Sequence, residues 1–107
     1  MQSKNLTIDV EKLRHSADQA ISALKLLANE DRLLLLCQLA QGEMCVSDLE
    51  AQLNIRQPTL SQQLGVLRSE GVVSTRRQGK NIFYGVADPA LIEILVMLHR
   101  LYCKKAS

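Results

Sequence analysis

Residues 46–69 read VSDLEAQLNIRQPTLSQQLGVLRS. The stretch divides into two amphipathic segments separated by a tight break. Val46, Leu49 and Leu53 fall at i, i+3 and i+7, the spacing that lines one face of a helix. Ser47, ahead of Asp48 and Glu50, suits an N-cap followed by acidic residues at the positive end of a helix dipole. Asn54-Ile55-Arg56 breaks the pattern. A second helix is expected over 57–69, with Pro58 near its first position, where a missing N–H costs little. Leu60, Leu64 and Leu67 mark its buried face, and Gln57, Thr59, Ser61, Gln62, Gln63 and Arg68 lie between them. An ordinary solvated face carries more Glu and Lys; amides and hydroxyls hydrogen-bond to base edges and phosphates. The stretch is therefore expected to be a helix-turn-helix with its recognition helix at 57–69. A plain helical hairpin would share the apolar spacing, and the following residues separate the two.

Gly71 closes the second helix. Residues 72–77 are rich in β-formers, 78–80 form a Gln-Gly-Lys turn, and 81–86 make a second strand, so 72–87 reads as a β-hairpin wing. Arg76, Arg77 and Lys80 gather around its tip, while Val73, Ile82 and Tyr84 suit an inward face. The formal net charge of +2 hides a division. Residues 54–86 hold Arg56, Arg68, Arg76, Arg77 and Lys80 against Glu70 alone, a local +4 that leaves −2 for the remainder. Positive charge thus coincides with the segments that would face phosphates.

A chain of 107 residues suits one small domain spanning 1–107, and its 47% hydrophobic content argues against disorder. No apolar run approaches the roughly 20 residues that span a bilayer, and residues 1–16 lack a signal-peptide core. A cytoplasmic location with no membrane contact is expected. Three cysteines in such a chain do not suggest a disulfide framework. Residues 1–8 are expected to fray. An apolar stripe from Leu13 to Ala28 marks a helix over 9–28, Asn29 interrupts it, and residues 30–40 form a core helix that carries Cys37. Arg32 is expected to be an intramolecular or solvated cation. Residues 43–45 lead into the helix-turn-helix. Asp88-Pro89 opens the last helix, 89–104, with Asp88 as N-cap and Pro89 at its first position. Its apolar residues, Leu91 to Tyr102, cover almost every direction, more than a monomer this small would bury. Helices 9–28 and 89–104 are therefore expected to form a homodimer interface, with Lys104-Lys105 suiting the C-terminal dipole. The expected fold is mainly α with a small β-hairpin: four helices, two strands and a fifth helix, a winged helix-turn-helix.

SQQLGVLRSEGVV, TRRQGKNIFY and the closing helix together resemble the ArsR/SmtB family of bacterial winged-helix repressors. The resemblance covers nearly the whole chain and leans towards the dithiol branch containing BigR, SqrR and HlyU, which senses sulfur species or redox state. It implies a homodimer on double-stranded operator DNA. ANEDRLLLLCQL also matches the family's second-helix pattern.

An enzyme has little support, since there is no Gly-rich phosphate loop, no His-Glu metalloprotease motif, and no nucleophile beside His15 or His99. A thiol enzyme using Cys37 would be the best such reading. Metal sensing is the serious alternative, through Cys45 or His99. One family site resembles ELCVCDL; here Glu43-Met44-Cys45-Val46-Ser47-Asp48-Leu49 keeps the first thiolate at Cys45 and puts Ser47 at the second. The other begins Asp-x-His on the last helix; here Asp88 is followed by Ala90, and His99 alone remains of that set. A single thiolate is a poor soft-metal site, so no metal or cofactor is expected. The dithiol branch carries its sensing cysteines at LxCxL on the second helix and after an aromatic near the chain's end. Leu36-Cys37-Gln38-Leu39 and Leu101-Tyr102-Cys103 match both. The resemblance thus implies redox sensing by Cys37 and Cys103, with a reactive sulfur species or oxidant as inducer. Buried as an inert small hydrophobe, Cys37 would instead have only a packing role. Cys45 has no partner in that scheme and is expected to be exposed or half-buried and dispensable.

Overall fold

The computed structural model describes residues 9–103. The expectations for residues 1–8 and for Lys104-Lys105 lie outside them. The element order is α1 (Val10–Leu27), α2 (Glu30–Leu39), β1 (Met44–Cys45), α3 (Val46–Leu53), α4 (Thr59–Ser69), β2 (Val73–Gln78), β3 (Asn81–Val86) and α5 (Pro89–Tyr102). Among the described residues, five helices and one small three-stranded antiparallel sheet form a winged helix-turn-helix.

Short polar side chains set the helix starts. Asp9 Oδ1 accepts from the Glu11 and Lys12 amides, Asn29 Oδ1 from Arg32 and Asp88 Oδ1 from Ala90, each at a helix N-terminus with unpaired N–H groups. Asn29 therefore both interrupts the chain after α1 and launches α2. The turn of the helix-turn-helix depends on Asn54, which takes the left-handed conformation and donates its N–H to the Glu50 carbonyl. At the end of α4, the Gly71 amide bonds to the Arg68 carbonyl and the Val72 amide to Leu67. Gly71 supplies the positive φ this closure requires.

The core is leucine-rich. Leu35, Leu36 and Leu39 of α2 meet Leu49 of α3, Leu60, Leu64 and Leu67 of α4, and Leu91 and Leu95 of α5. Ile55, inside the turn, is also buried and plugs this core. Helix α2 is central, as its composition predicts, although Leu34 stays exposed.

Three expectations need correction. The hairpin gains a third strand, because Met44 pairs with Tyr84 and Cys45 with Phe83 on the free side of β3. Two residues are too short to show a period, so this strand is invisible in the sequence. The cap of α3 is Cys45, and Ser47 lies inside the first turn. Pro58 caps α4 and precedes its first residue; Gln57 supplies the N-terminal acceptor, since its Oε1 takes the Ser61 N–H at 3.1 Å.

Candidate nucleic-acid interface and thiol pair

Helix α4 turns Leu60, Leu64 and Leu67 inward, which leaves Ser61, Gln62, Gly65, Val66, Arg68 and Ser69 facing solvent. Of the polar residues expected to meet DNA, Gln57, Ser61, Gln62 and Arg68 are exposed and Thr59 is half-buried at the first turn. Gln63 differs. It is half-buried, and its Oε1 accepts from Arg32 Nη1 at 3.3 Å. Arg32 also donates through Nε to the Leu26 carbonyl at 2.9 Å and through Nη2 to Lys25 at 3.2 Å, so its planar fork joins the end of α1 to the recognition helix. Arg32 is thus the intramolecular cation its position predicts, and it engages Gln63.

The wing cations also separate. Arg76 donates to Glu43 Oε1 from Nε at 2.9 Å and from Nη2 at 2.8 Å, and to Gln78 Oε1 at 2.7 Å. Its guanidinium lies 5.0 Å from the centre of the Phe83 ring. Glu43, just before β1, and Arg76 on β2 therefore reach each other across β3. Arg77 and Lys80 are exposed and form no ion pair among the described residues. Val73 faces the core as expected and Tyr84 is half-buried, but Ile82 is exposed on the wing.

The two candidate thiols lie on α2 and at the end of α5. Cys37 is half-buried, and Cys103 is exposed at the C-cap of α5, its N–H bonded to the His99 carbonyl at 2.8 Å. Burial pushes the Cys37 thiol above its ordinary range, and the negative charge of the neighbouring Cys103 adds to the rise. A pocket of about 320 Å³ opens beside Cys37, lined also by Ala40, Gln41, Leu95, Val96 and His99. Cys45 is buried, contrary to expectation, because β1 pairing tucks it under α3; its Sγ donates to Asp48 Oδ2 and lies 3.4 Å from Ser47 Oγ. Among the described residues, no three His, Cys, Asp or Glu side chains gather as a metal site.

Residues 29–75, from the cap of α2 to β2, match the model of the bacterial regulatory protein arsR family. The chain is 48% identical over 96 residues to the biofilm growth-associated repressor of Agrobacterium fabrum, covering 90% of this chain and 82% of that protein. It is 35% identical to the transcriptional activator HlyU of Vibrio cholerae, covering 94% of each. The crystal structure of the transcriptional repressor BigR from Xylella fastidiosa superposes with a TM-score of 0.84 at 42% identity, over 90% of this chain and 98% of that one. The chain belongs to the ArsR family.

This ArsR-family protein is a DNA-binding transcriptional repressor by descent and fold, and its relatives are regulators and not enzymes. No helix of the described residues is long and apolar enough to cross a membrane. Sequence reasoning overlooked Gly65 and Val66, which share the outward face of the recognition helix with Gln62. The signal was available, because 60, 64 and 67 point inward and 65 and 66 must then point out. The Gln63 contact had no such signal, since it depends on how α2 crosses α4.

Proposed function

We propose that this ArsR-family repressor binds an inverted-repeat operator as a homodimer and releases it when Cys37 and Cys103 of one protomer become joined through sulfur. The observation that supports this reading is a half-buried thiol on α2, in a pocket lined by Leu95, Val96 and His99 of α5, with an exposed thiol at the end of that same helix. The exposed faces of Ser61, Gln62 and Arg68, with Arg77 and Lys80 on the wing, suit groove and phosphate contacts. Apolar side chains left exposed on the terminal helices, among them Leu13 at 52%, Leu24 at 61% and Val96 at 57%, suit a partner subunit. The cytoplasm, where thiols stay reduced, suits such a sensor.

The chemistry uses exposure first and burial second. Cys103 thiolate attacks the outer sulfur of a small persulfide RSSH, forming Cys103–S–SH and releasing RS⁻, which takes up a proton. Cys37 then attacks Cys103 Sγ and expels HS⁻, giving a disulfide in which the sulfane sulfur has been reduced to sulfide. If Cys37 has itself been persulfidised, the same attack gives the trisulfide Cys37–S–S–S–Cys103. A direct disulfide needs Cα atoms roughly 4.4–6.8 Å apart, and an inserted sulfur relaxes that limit. This difference would let persulfides act where peroxide acts poorly. A bridge from α2 to α5 has a route to DNA, because α2 holds the recognition helix through Arg32 and Gln63.

Intact-mass spectrometry after separate treatment with a persulfide donor, hydrogen peroxide and glutathione disulfide tests this reading. The donor should give an intramolecular bridge that maps to Cys37 and Cys103. A persulfide product confined to Cys45, or stoichiometric zinc binding that releases DNA, would replace it.

A further inference from the structure

His99 is the one imidazole, and the one basic side chain, that lines the Cys37 pocket among the described residues. Gln41 is neutral, and Ala40, Leu95 and Val96 are apolar. His99 also stands four residues before Cys103 on α5, where i and i+4 side chains share a face, and the Cys103 N–H bonds its carbonyl at 2.8 Å. One imidazole thus lines the pocket of the half-buried thiol and sits one turn from the exposed one. We propose that His99 handles the proton for the thiol pair, as the base that activates Cys37 when it resolves persulfidised Cys103.

The step balances as follows. Neutral imidazole takes the Cys37 S–H proton. The freed Cys37 sulfur pair forms the bond to Cys103 Sγ, and the Cys103–SH sulfur–sulfur bond breaks with its electron pair on HS⁻. The imidazolium returns the proton to HS⁻, which leaves as H₂S, and the imidazole is neutral again. The need for a base is clear from the surroundings of Cys37: only the thiolate is nucleophilic, and burial disfavours it. The apolar side chains of Leu95 and Val96 beside it offer no base.

This inference rests on the dithiol reading above, and its test separates the two. The full-length reduced protein is mixed with a persulfide donor, quenched with acid at intervals and assayed by intact mass for the bridged species. His99→Gln keeps the bulk without the base, and His99→Ala leaves space for free imidazole. Both should bridge at least about a hundredfold more slowly than the wild type, the range of lost general-base catalysis. Added imidazole should restore the His99→Ala rate in a saturable way and leave the wild-type rate unchanged. Bridging at the wild-type rate in His99→Gln, or slow bridging in His99→Ala that imidazole does not restore, overturns the role of His99. A wild type that never bridges overturns the dithiol reading and this inference with it.

Discussion

Arg32 on α2 and Gln63 on the recognition helix share a hydrogen bond of 3.3 Å, from Nη1 to Oε1, while the same guanidinium holds two carbonyls at the end of α1. One side chain therefore ties α1 to α4 through the central α2. Arg32→Ala strands these acceptors in a partly buried place and should cost about 1–3 kcal/mol. Arg32→Lys should recover little, because an ammonium cannot reproduce the fork. Urea or thermal unfolding measures both, and wild-type stability in Arg32→Ala would remove the strut.

The outward face of α4 should carry sequence discrimination. Ser61→Ala and Gln62→Ala should lower the ratio of operator to random-DNA binding, a good base contact being worth about 1–3 kcal/mol. Gln63→Ala should change that ratio less, because its oxygen is already engaged. Gly65 offers a sharper check. A Cβ there meets nothing within 4 Å in this chain, so Gly65→Ala should stabilise the helix by up to about 1 kcal/mol. If DNA lies close over this turn, the same variant should bind operator more weakly. Anisotropy titrations beside unfolding curves separate the two effects.

Much of this was legible in the sequence because it is periodic. The leucines at 60, 64 and 67 and the Gly71 closure define α4, and two runs of β-formers around the Gln78-Gly79-Lys80 turn define β2 and β3. Crossing contacts were not legible. Nothing local marks Arg32 as the partner of Gln63, Glu43 as the partner of Arg76, or Met44-Cys45 as a strand, because each depends on an element distant in the chain. The two candidate thiols were visible only by resemblance; their neighbouring placement comes from the packing of α2 on α5.

The wing should split by residue. Arg77→Ala and Lys80→Ala should each weaken all DNA binding and reduce the salt slope by about one. Arg76→Ala should change the slope less, since its charge is matched by Glu43. Its side chain and that of Glu43 are each close to half exposed, so the ion pair should contribute no more than about 1 kcal/mol. Equal slopes for all three variants would contradict this division.

Dimerisation should be probed at exposed positions of the terminal helices. Leu95 is only 2% exposed and belongs to the monomer core, so Leu95→Glu should unfold the chain. Val96→Glu or Leu24→Glu should instead yield a folded monomer that binds operator poorly. Light scattering with circular dichroism decides, and a folded wild-type monomer at micromolar concentration would contradict the dimer.

The thiol switch is tested most directly by fluorescence anisotropy on operator DNA, with persulfide added to the wild type and to Cys37→Ser, Cys103→Ser and Cys45→Ser. A tenfold loss of affinity requires a difference of only about 1.4 kcal/mol between reduced and bridged states. The wild type and Cys45→Ser should release DNA and rebind after reduction, while Cys37→Ser and Cys103→Ser stay bound. Release of DNA by Cys103→Ser on persulfide treatment would contradict the dithiol account.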